Sequence, residues 1–347
     1  MSEAHNNPWH PMLVKTAGAC CAVGYTLAAA SCAIRAGMDN FQESDFIDNE
    51  NEPLKVARLP FDNDWGTERL AAIAKKALKD CLKTVPDFQP TQTAMILMAA
   101  EQGRPHSATE RYNEIWYACT ADFTEPFHPS SAINPQGRAG IGAALKLAQK
   151  LLTEHTVPRV LILGVDSFLN SATISHYLAA ERLLTLENSD GFVPGEGAGA
   201  ILLELPQAGS VGLHITGGAV SKEDAIFPGG KPNLAIGLTQ AMRQACEAAN
   251  IRPSELKFRM SDQNGEQYFA KEMANAYTRL MADENVFLPM MHIADCVGET
   301  GAAAAVLCIA FQKTVMPRAD GPGRVGLLHF GNDNGLRAAL ILRYLGA

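Results

Sequence analysis

The sequence has no excess of positive charge and few aromatic side chains. Lysine and arginine total 29 against 37 aspartates and glutamates, which gives a formal net charge of −8, and aromatic residues make up 7% of the chain. Nucleic-acid backbones and anionic membranes are bound by clusters of cationic side chains, and none is present here. The composition therefore predicts neither partner. With 47% apolar residues among 347, the chain is long enough to bury a large core.

Paired-cysteine motifs are also missing. No two of the eight cysteines have the CxxC spacing of metal or redox sites, and most lie among alanine, valine and leucine. We expect these thiols to act as small hydrophobic side chains in a reducing compartment, which predicts a cytoplasmic protein. The nine histidines show no metal-ligand spacing. The sequence therefore predicts no metal site and no other cofactor.

A membrane-spanning segment is not predicted, although residues 17–34 contain no charge. This stretch consists mostly of alanine, glycine, serine and cysteine, with few large apolar side chains to drive insertion into a bilayer. It predicts a buried strand over 12–17, a glycine turn over 18–24 and a helix ending near Gly37. The N-terminal "MSEAHNNPWHP" lacks the charged and then apolar pattern of a secretory signal.

Apolar strand-like segments alternate with amphipathic helical segments along most of the chain. This alternation predicts an α/β protein with a largely parallel sheet covered by helices on both faces. The acidic residues 39–53 are expected to form a surface loop. Glycine-rich, hairpin-like strands close each part of the chain, which predicts two similarly built halves, 1–205 and 206–347, within one compact unit.

The most distinctive stretch is "DGFVPGEGAGAILLE", residues 190–204, in which Gly195, Glu196, Gly197 and Gly199 lead into an apolar run. A phosphate-binding loop would end in GKS or GKT, or would lie between a strand and a helix, and neither holds here. Glycine before a buried strand is typical of close backbone approach or positive φ. The bend is therefore predicted to be packed scaffold beside a functional site.

Residues 158–204, from "PRVLILGVDS" to "GEGAGAILLE", resemble the central part of β-ketoacyl synthases in the thiolase-like superfamily. Three other segments extend the resemblance over nearly the whole chain: "VKTAGACCAVGYTLAAASCAIRAG", "CVGETGAAAAVL" and "LHFGNDNGLRAALIL". The resemblance implies an α/β fold of five layers, αβαβα, built from two related halves and usually found as a dimer.

The resemblance also implies a cysteine nucleophile at a helix start, where the helix dipole lowers the thiol pKa and backbone N–H groups stabilise an oxyanion. Counting back from Val165 places the nucleophile position within residues 134–136, and we assign it to Gln136. A glutamine here resembles the chain-length-factor subunits of polyketide synthases, and an amide cannot form a thioester. Cys119 in "YACTADF" imitates the family spelling, but it is better explained as a semi-buried cysteine.

The two histidines that assist condensation in the family align with Asn264 and Glu299. Two threonines that hold the pantetheine arm are replaced by Glu266 and Tyr268, and the family lysine falls on Ala294. An acidic and a bulky side chain are expected to obstruct the arm. The full condensing triad is therefore predicted to be missing.

Two functional hypotheses follow. The first is a non-catalytic β-ketoacyl-synthase-like protein that acts as a homodimer, as a heterodimer with a related synthase, or as an adaptor for a client such as a secretion effector. The second is an acyltransferase of the 3-oxoacyl synthase type with an altered mechanism, using Cys119 or a Gln136/Asn264/Glu299 cluster. Binding of an acyl ligand without turnover lies between them.

Overall fold

The computed structural model describes residues 9–61, 65–284 and 286–346. The strands are β1 Met12–Cys21, β2 Phe41–Ile47, β3 Pro53–Ala57, β4 Thr93–Met98, β5 Ala132–Asn134, β6 Arg159–Ser167, β7 Glu196–Glu204, β8 Gly212–Lys222, β9 Phe258–Ser261, β10 Met290–His292, β11 Val325–Gly331 and β12 Leu336–Leu345. The helices are α1 Leu27–Arg35, α2 Gly66–Leu82, α3 Thr109–Thr120, α4 Ile141–Thr153, α5 Ser171–Ala179, α6 Ile236–Ala248, α7 Gln267–Leu280, α8 Ala294–Val297 and α9 Ala304–Val315.

Ten of these strands form one sheet whose two sides repeat the same pattern. The order is β10-β9-β11-β12-β8-β1-β7-β6-β4-β5. On one side β1, β7 and β6 are antiparallel neighbours, followed by β4 and β5 in parallel. On the other side β8, β12 and β11 are antiparallel, followed by β9 and β10 in parallel. β1 and β8 join the two five-stranded sets through Met12↔Ile215 and Leu13↔His214.

Three apolar cores show the layering. The largest core encloses α4 and α9 between the two strand sets, with Ile162 from the first set and Leu328 from the second. Another core packs α2 and α3 against the outer face of the first set. A third packs α6 and α7 against the outer face of the second set. The layers are αβαβα, so the predicted five-layered α/β fold is confirmed. The expected largely parallel sheet is wrong, because the five central pairings are antiparallel and only the outer strands on each side pair in parallel.

The apolar pattern of each helix matches its layer. α2 covers one face of the sheet, and its core residues recur three and four apart: Leu70, Ile73, Ala74, Ala77, Leu78 and Cys81. α9 lies between the two strand sets, and its residues 304–312 are all buried. A helix that is apolar on every face is stable only when it is enclosed in this way.

Two predictions about the first sixty residues are wrong. Residues 39–53 contain β2 and the start of β3, which form a separate antiparallel pair, because Phe46 packs against an apolar cluster and anchors the acidic segment. β1 continues to Cys21 through the expected turn at Gly18. A Cβ at Gly18 would lie 2.3 Å from the Ala77 carbonyl oxygen, so the glycine admits α2 against the strand. None of the helices in the described residues is long and apolar enough to span a membrane.

Candidate functional site

The candidate site is a buried cluster of ion-paired side chains, which we call the centre; it is lined by Arg138, Arg182, Asn264, Glu299 and Asp333 among others. Arg138 enters it from the segment just before α4. Gly137, with φ of 59°, turns the chain into a short 3-10 segment, Arg138–Gly140, that leads into α4. The Arg138 Nη1 donates to Glu299 Oε2 at 2.6 Å. The side chain of Gln136 is exposed, and the Gln136 carbonyl accepts from Asn332 Nδ2 at 2.6 Å.

The exposed side chain of Gln136 therefore lies outside this centre, whereas the buried side chain of Arg138 lies within it. The count back from Val165 stops at Gln136, one residue before the positive-φ turn at Gly137 and two residues before Arg138. The glycine at 137 reverses the direction of the chain, so residues 136 and 138 have different surroundings.

Glu299 and Asn264 meet in this centre, as their aligned positions implied. Glu299 is 4% exposed and lies between α8 and the 3-10 segment Gly301–Ala303. Its Oε1 accepts from the backbone N–H of Gly301 at 2.7 Å, and its Oε2 accepts from Arg138 and from Asn264 Nδ2 at 2.8 Å. Three donors therefore hold the carboxylate in one orientation.

Two further carboxylates face the Arg138 guanidinium. Asp262 Oδ2 lies 3.4 Å from Nε, and Asp333 Oδ1 lies 3.9 Å from Nη2. Burial lowers the pKa of Arg138, but the facing carboxylates of Glu299, Asp262 and Asp333 outweigh it and raise that pKa above its ordinary value. Burial raises the pKa of Asp262 to about 6, against the lowering effect of Arg138.

A second arginine, Arg182, lies beside this cluster and is held by two carboxylates. Arg182 donates to both oxygens of Glu266, at 2.6 and 3.0 Å, and to both oxygens of Asp333, at 2.6 and 3.2 Å. Its guanidinium lies 4.5 Å from the Phe227 ring centroid. The Tyr268 hydroxyl donates to the Ala225 carbonyl at 2.9 Å. Glu266 and Tyr268 thus have partners within the protein.

These contacts leave almost no space. The residual cavity has a volume of about 10 Å³ and is lined by Arg138, Arg182, Asn264, Glu299 and Asp333 among others. A single water needs roughly 10–15 Å³. Ion-paired side chains therefore fill the centre, and an acyl chain has no room in this arrangement.

The glycine bend lies directly beneath the segment that carries Glu299. The Gly195 N–H donates to the Glu299 carbonyl at 3.0 Å. A Cβ at Gly195 would lie 2.4 Å from the Val297 carbonyl oxygen, and one at Gly199 would lie 2.8 Å from the Leu307 nitrogen. A side chain at Gly195 would push this segment away from the bend, and a side chain at Gly199 would push α9 away from β7.

The other members of the bend have different neighbours. Gly197 packs near the Cys20 carbonyl, at 3.3 Å from an added Cβ. Glu196 is fully buried, and its Oε1 accepts from Arg69 Nη2 at 2.5 Å and from the Leu59 N–H at 2.9 Å. Glu196 therefore ties β7 to the chain around Leu59 and to α2.

Cys119 lies away from this centre and has no features of an activated thiol. It is on α3, is 1% exposed and belongs to the core between α2, α3 and the first strand set. Burial raises the pKa of Cys119 to about 12, despite the lowering effect of Lys75. The thiol is therefore protonated at neutral pH and shielded, which argues against Cys119 as a nucleophile.

Sequence reasoning missed the arginines of this centre. Arg138 follows a glycine immediately before a helix, which was the available signal, and Arg182 carries no local signal in "AAERLL". A third pair, Arg104 Nη2 to Asp166 Oδ2 at 2.5 Å, adjoins the centre, and the same Asp166 oxygen accepts from the Ala302 N–H at 2.8 Å. In the part of the chain that the structure describes, no group of three or more His, Cys, Asp or Glu side chains is arranged to hold a metal.

No family model matches the chain, nor does any curated protein. Solved structures do match over almost its full length. A type II polyketide synthase acyl-carrier protein in complex with its ketosynthase gives a TM-score of 0.76 at 14% identity, covering 98% of this chain and 100% of that chain. The ishigamide ketosynthase/chain length factor gives 0.68 at 19% identity, covering 97% and 100%.

A β-ketoacyl synthase from Burkholderia phymatum gives a TM-score of 0.73 at 15% identity, covering 97% of this chain and 100% of that chain. Identities this low establish the fold and leave the activity open. The chain has the thiolase-like fold of ketosynthases and chain length factors.

Proposed function

We propose that this protein is a ketosynthase-like subunit that does not condense acyl groups and acts through its contacts with another protein. The single observation that carries the proposal is Arg138 at the start of α4, ion-paired to Glu299 at 2.6 Å in a centre with about 10 Å³ of free volume. A condensing enzyme needs a thiolate at this place and space for two acyl groups.

The polar groups of the centre support the same proposal. Asn264 and Glu299 hydrogen-bond to each other at 2.8 Å, and Glu266 is held by Arg182. Buried donors and acceptors that satisfy one another stabilise one arrangement and are costly to separate. No observation favours the alternative acyltransferase, since Cys119 is buried in the outer core and Gln136 lies outside the centre.

The partner surface that we propose is the edge of the sheet at β5. Among the described residues β5 pairs with β4 alone. The Asn134 carbonyl accepts from the Ala99 N–H at 2.9 Å, on the β4 side. Because backbone groups alternate along a strand, the N–H and C=O of Ile133 are expected on the free side, where a second strand can pair.

The partner is a second copy of this chain, a related synthase or a client protein for which the chain is an adaptor. Likeness to a ketosynthase/chain length factor supports a synthase-type partner. The eight free cysteines support a reducing compartment, and we place the protein in the cytoplasm. The two strand sets support our division of the compact unit into halves at 1–205 and 206–347.

Catalysis is tested with the purified chain, acetyl-CoA and a malonyl-loaded acyl carrier protein, with product followed by mass spectrometry. An active β-ketoacyl synthase in parallel is the positive control. We expect no 3-oxoacyl product. Turnover by this chain above the level of a sample without protein would refute the proposal.

Association is tested by light scattering of the chain alone and together with the synthase encoded nearest to it. We expect a dimer of the 37.2 kDa chain, or a complex of defined mass with that synthase. Ile133→Pro removes an edge N–H and is expected to abolish the association, while circular dichroism checks that the variant is folded. A chain that stays monomeric with and without the synthase would contradict this part.

A further inference from the structure

A large groove lies apart from the centre. The starts of β1 and β8, the end of β12 and the C-terminal end of α6 come together at this groove. We call it the outer groove; its volume is about 610 Å³. Its apolar wall includes Trp9, Pro206, Val211, Ala249 and Leu345. This volume is within the range of small-molecule sites, and the lining combines aromatic and aliphatic groups with polar ones such as Ser210, Asn250 and Arg343.

The groove contains an arginine that lacks an ion pair among the described residues. Arg343 on β12 is the register partner of His214 on β8, and both line the groove. The Nε of Arg343 is buried and has no hydrogen-bond partner in residues 9–61, 65–284 and 286–346. No aspartate or glutamate is among the described residues that line the groove. Arg138 and Arg182, in contrast, each face two or more carboxylates.

His214 leaves a second polar atom of the groove wall without a partner. The residue is 2% exposed, and its Nδ1 lies 3.0 Å from the Gly212 carbonyl oxygen. Burial lowers the pKa of His214, so the imidazole is neutral at pH 7 and its Nδ1 donates to that carbonyl. The Nε2 has no partner within the described part of the chain. Buried polar atoms without partners are uncommon in proteins, and each reduces stability until a partner reaches it.

We propose that the outer groove binds an apolar monocarboxylate, with its carboxylate on Arg343 and its hydrocarbon body against Trp9, Val211 and Leu345. Because His214 is neutral, Arg343 is the one charge that the described groove residues supply. A single carboxylate balances that charge, and a guanidinium binds carboxylate through charge-assisted hydrogen bonds. A dianion would leave an unbalanced charge near the C-terminal carbonyls of α6, which disfavour anions.

The proposed carboxylate site in the outer groove does not depend on the centre or on the proposed protein partner. The groove is lined by the ends of β1, β8 and β12 and by residues that follow β7 and α6. The residues that line the filled centre are a different set. Failure of the binding experiment would therefore leave the proposed function untouched.

The test titrates octanoate into the full-length chain by isothermal calorimetry, with octanamide as a neutral ligand of the same length. We expect saturable binding of one octanoate per chain. Arg343→Gln, and replacement of octanoate by octanamide, should each weaken binding by about tenfold to a hundredfold, because each removes one partner of a charge-assisted hydrogen bond. Arg318→Gln is the matched control, since Arg318 is an exposed arginine outside the groove, and its affinity should match the original chain.

A second variant keeps the test decisive if Arg343→Gln folds poorly. Val211 is 66% exposed, so Val211→Glu is expected to fold and to place a competing carboxylate in the groove. It should weaken octanoate binding by at least about tenfold. Three results would overturn the proposal. Octanoate fails to bind the original chain, octanamide binds it as tightly as octanoate does, or octanoate binds Arg343→Gln and Val211→Glu as tightly as it binds the original chain.

Discussion

The filled centre and the outer groove differ in whether their arginines are paired with carboxylates. In the centre, Arg138 and Arg182 face Glu299, Asp333 and Glu266 at hydrogen-bond distance, and about 10 Å³ of space remains. In the groove, Arg343 has a buried Nε without a partner beside about 610 Å³ of space.

The charges of the centre are therefore balanced within the described residues, and the charge of Arg343 in the groove is not. A buried ion pair whose donors and acceptors are all used needs nothing from outside, and it resists the entry of a ligand. An unbalanced cation in an apolar groove gains free energy when an anion arrives. The centre around Arg138 is therefore closed to ligands, and the outer groove is the open region of the two.

The largest expected effect comes from breaking the pair in the centre. Glu299→Ala leaves Arg138 buried without its nearest carboxylate and also removes the acceptor of Asn264. We expect the free energy of unfolding to fall by about 3–5 kcal/mol. Urea denaturation followed by circular dichroism measures it.

The matched control removes both charges together. The double variant Arg138→Met with Glu299→Met keeps the volume of the centre apolar, and its stability should lie well above that of Glu299→Ala. If Glu299→Ala were as stable as the original chain, the pair would not hold the centre closed.

A smaller effect is expected at the glycine bend beneath the centre. Gly199→Ala places a Cβ 2.8 Å from the Leu307 nitrogen and should lower the free energy of unfolding by about 1–3 kcal/mol. Gly230→Ala is the control, since no atom lies within 4 Å of its added Cβ, and its change should stay within about 0.5 kcal/mol. Thermal denaturation of the two variants decides; equal melting temperatures would mean that the bend is not tightly packed.

The pH dependence of stability sharpens the comparison through Asp262. Its pKa is raised by burial from 3.8 to about 6, so the folded protein binds this proton more tightly than the unfolded chain does. The stabilisation from this proton is complete below about pH 4 and is lost as the pH rises to about 6. Relative to Asp262→Asn, the original chain should therefore lose about 1–3 kcal/mol between these pH values. Urea denaturation at several pH values measures this difference. An original chain that gains stability relative to Asp262→Asn as the pH rises from about 4 to about 6 would contradict the burial of Asp262.

The smallest effect on folding is expected in the groove. Arg343→Gln removes a cation that has no carboxylate partner in the described residues, so the free energy of unfolding should change by no more than about 0.5 kcal/mol. The same urea assay compares it with Glu299→Ala. A loss as large as in the centre would show that Arg343 has a structural role.

The sequence was sufficient for the fold and for part of the centre. The alternation of apolar strands and amphipathic helices indicates the α/β class, and the family resemblance, which includes the "GEGAG" bend, implies the five layers. Asn264 and Glu299 were identified from their aligned positions, 35 residues apart in the chain, and they hydrogen-bond in the structure. The fold prediction succeeded because it depends on local apolar pattern and on the order of elements along the chain.

The remaining features depend on contacts that no local pattern encodes. Arg182 and Glu266 are 84 residues apart, and the sequence around neither residue predicts a buried ion pair. Arg138 and not Gln136 enters the centre because Gly137, with its positive φ, separates the two residues, and counting along the sequence cannot detect this. The charged residues of β2 predict a loop, and the sequence does not show that Phe46 packs against an apolar cluster and anchors the segment.

The most direct test of the filled centre is intact-protein mass spectrometry after incubation with hexanoyl-CoA at neutral pH, with an active β-ketoacyl synthase as positive control. The centre has no thiol at the start of α4, and Cys119 is buried with its pKa raised to about 12, so we expect an unchanged mass for this chain. An acyl adduct that is stable in the original chain and absent in Cys119→Ala would contradict this account.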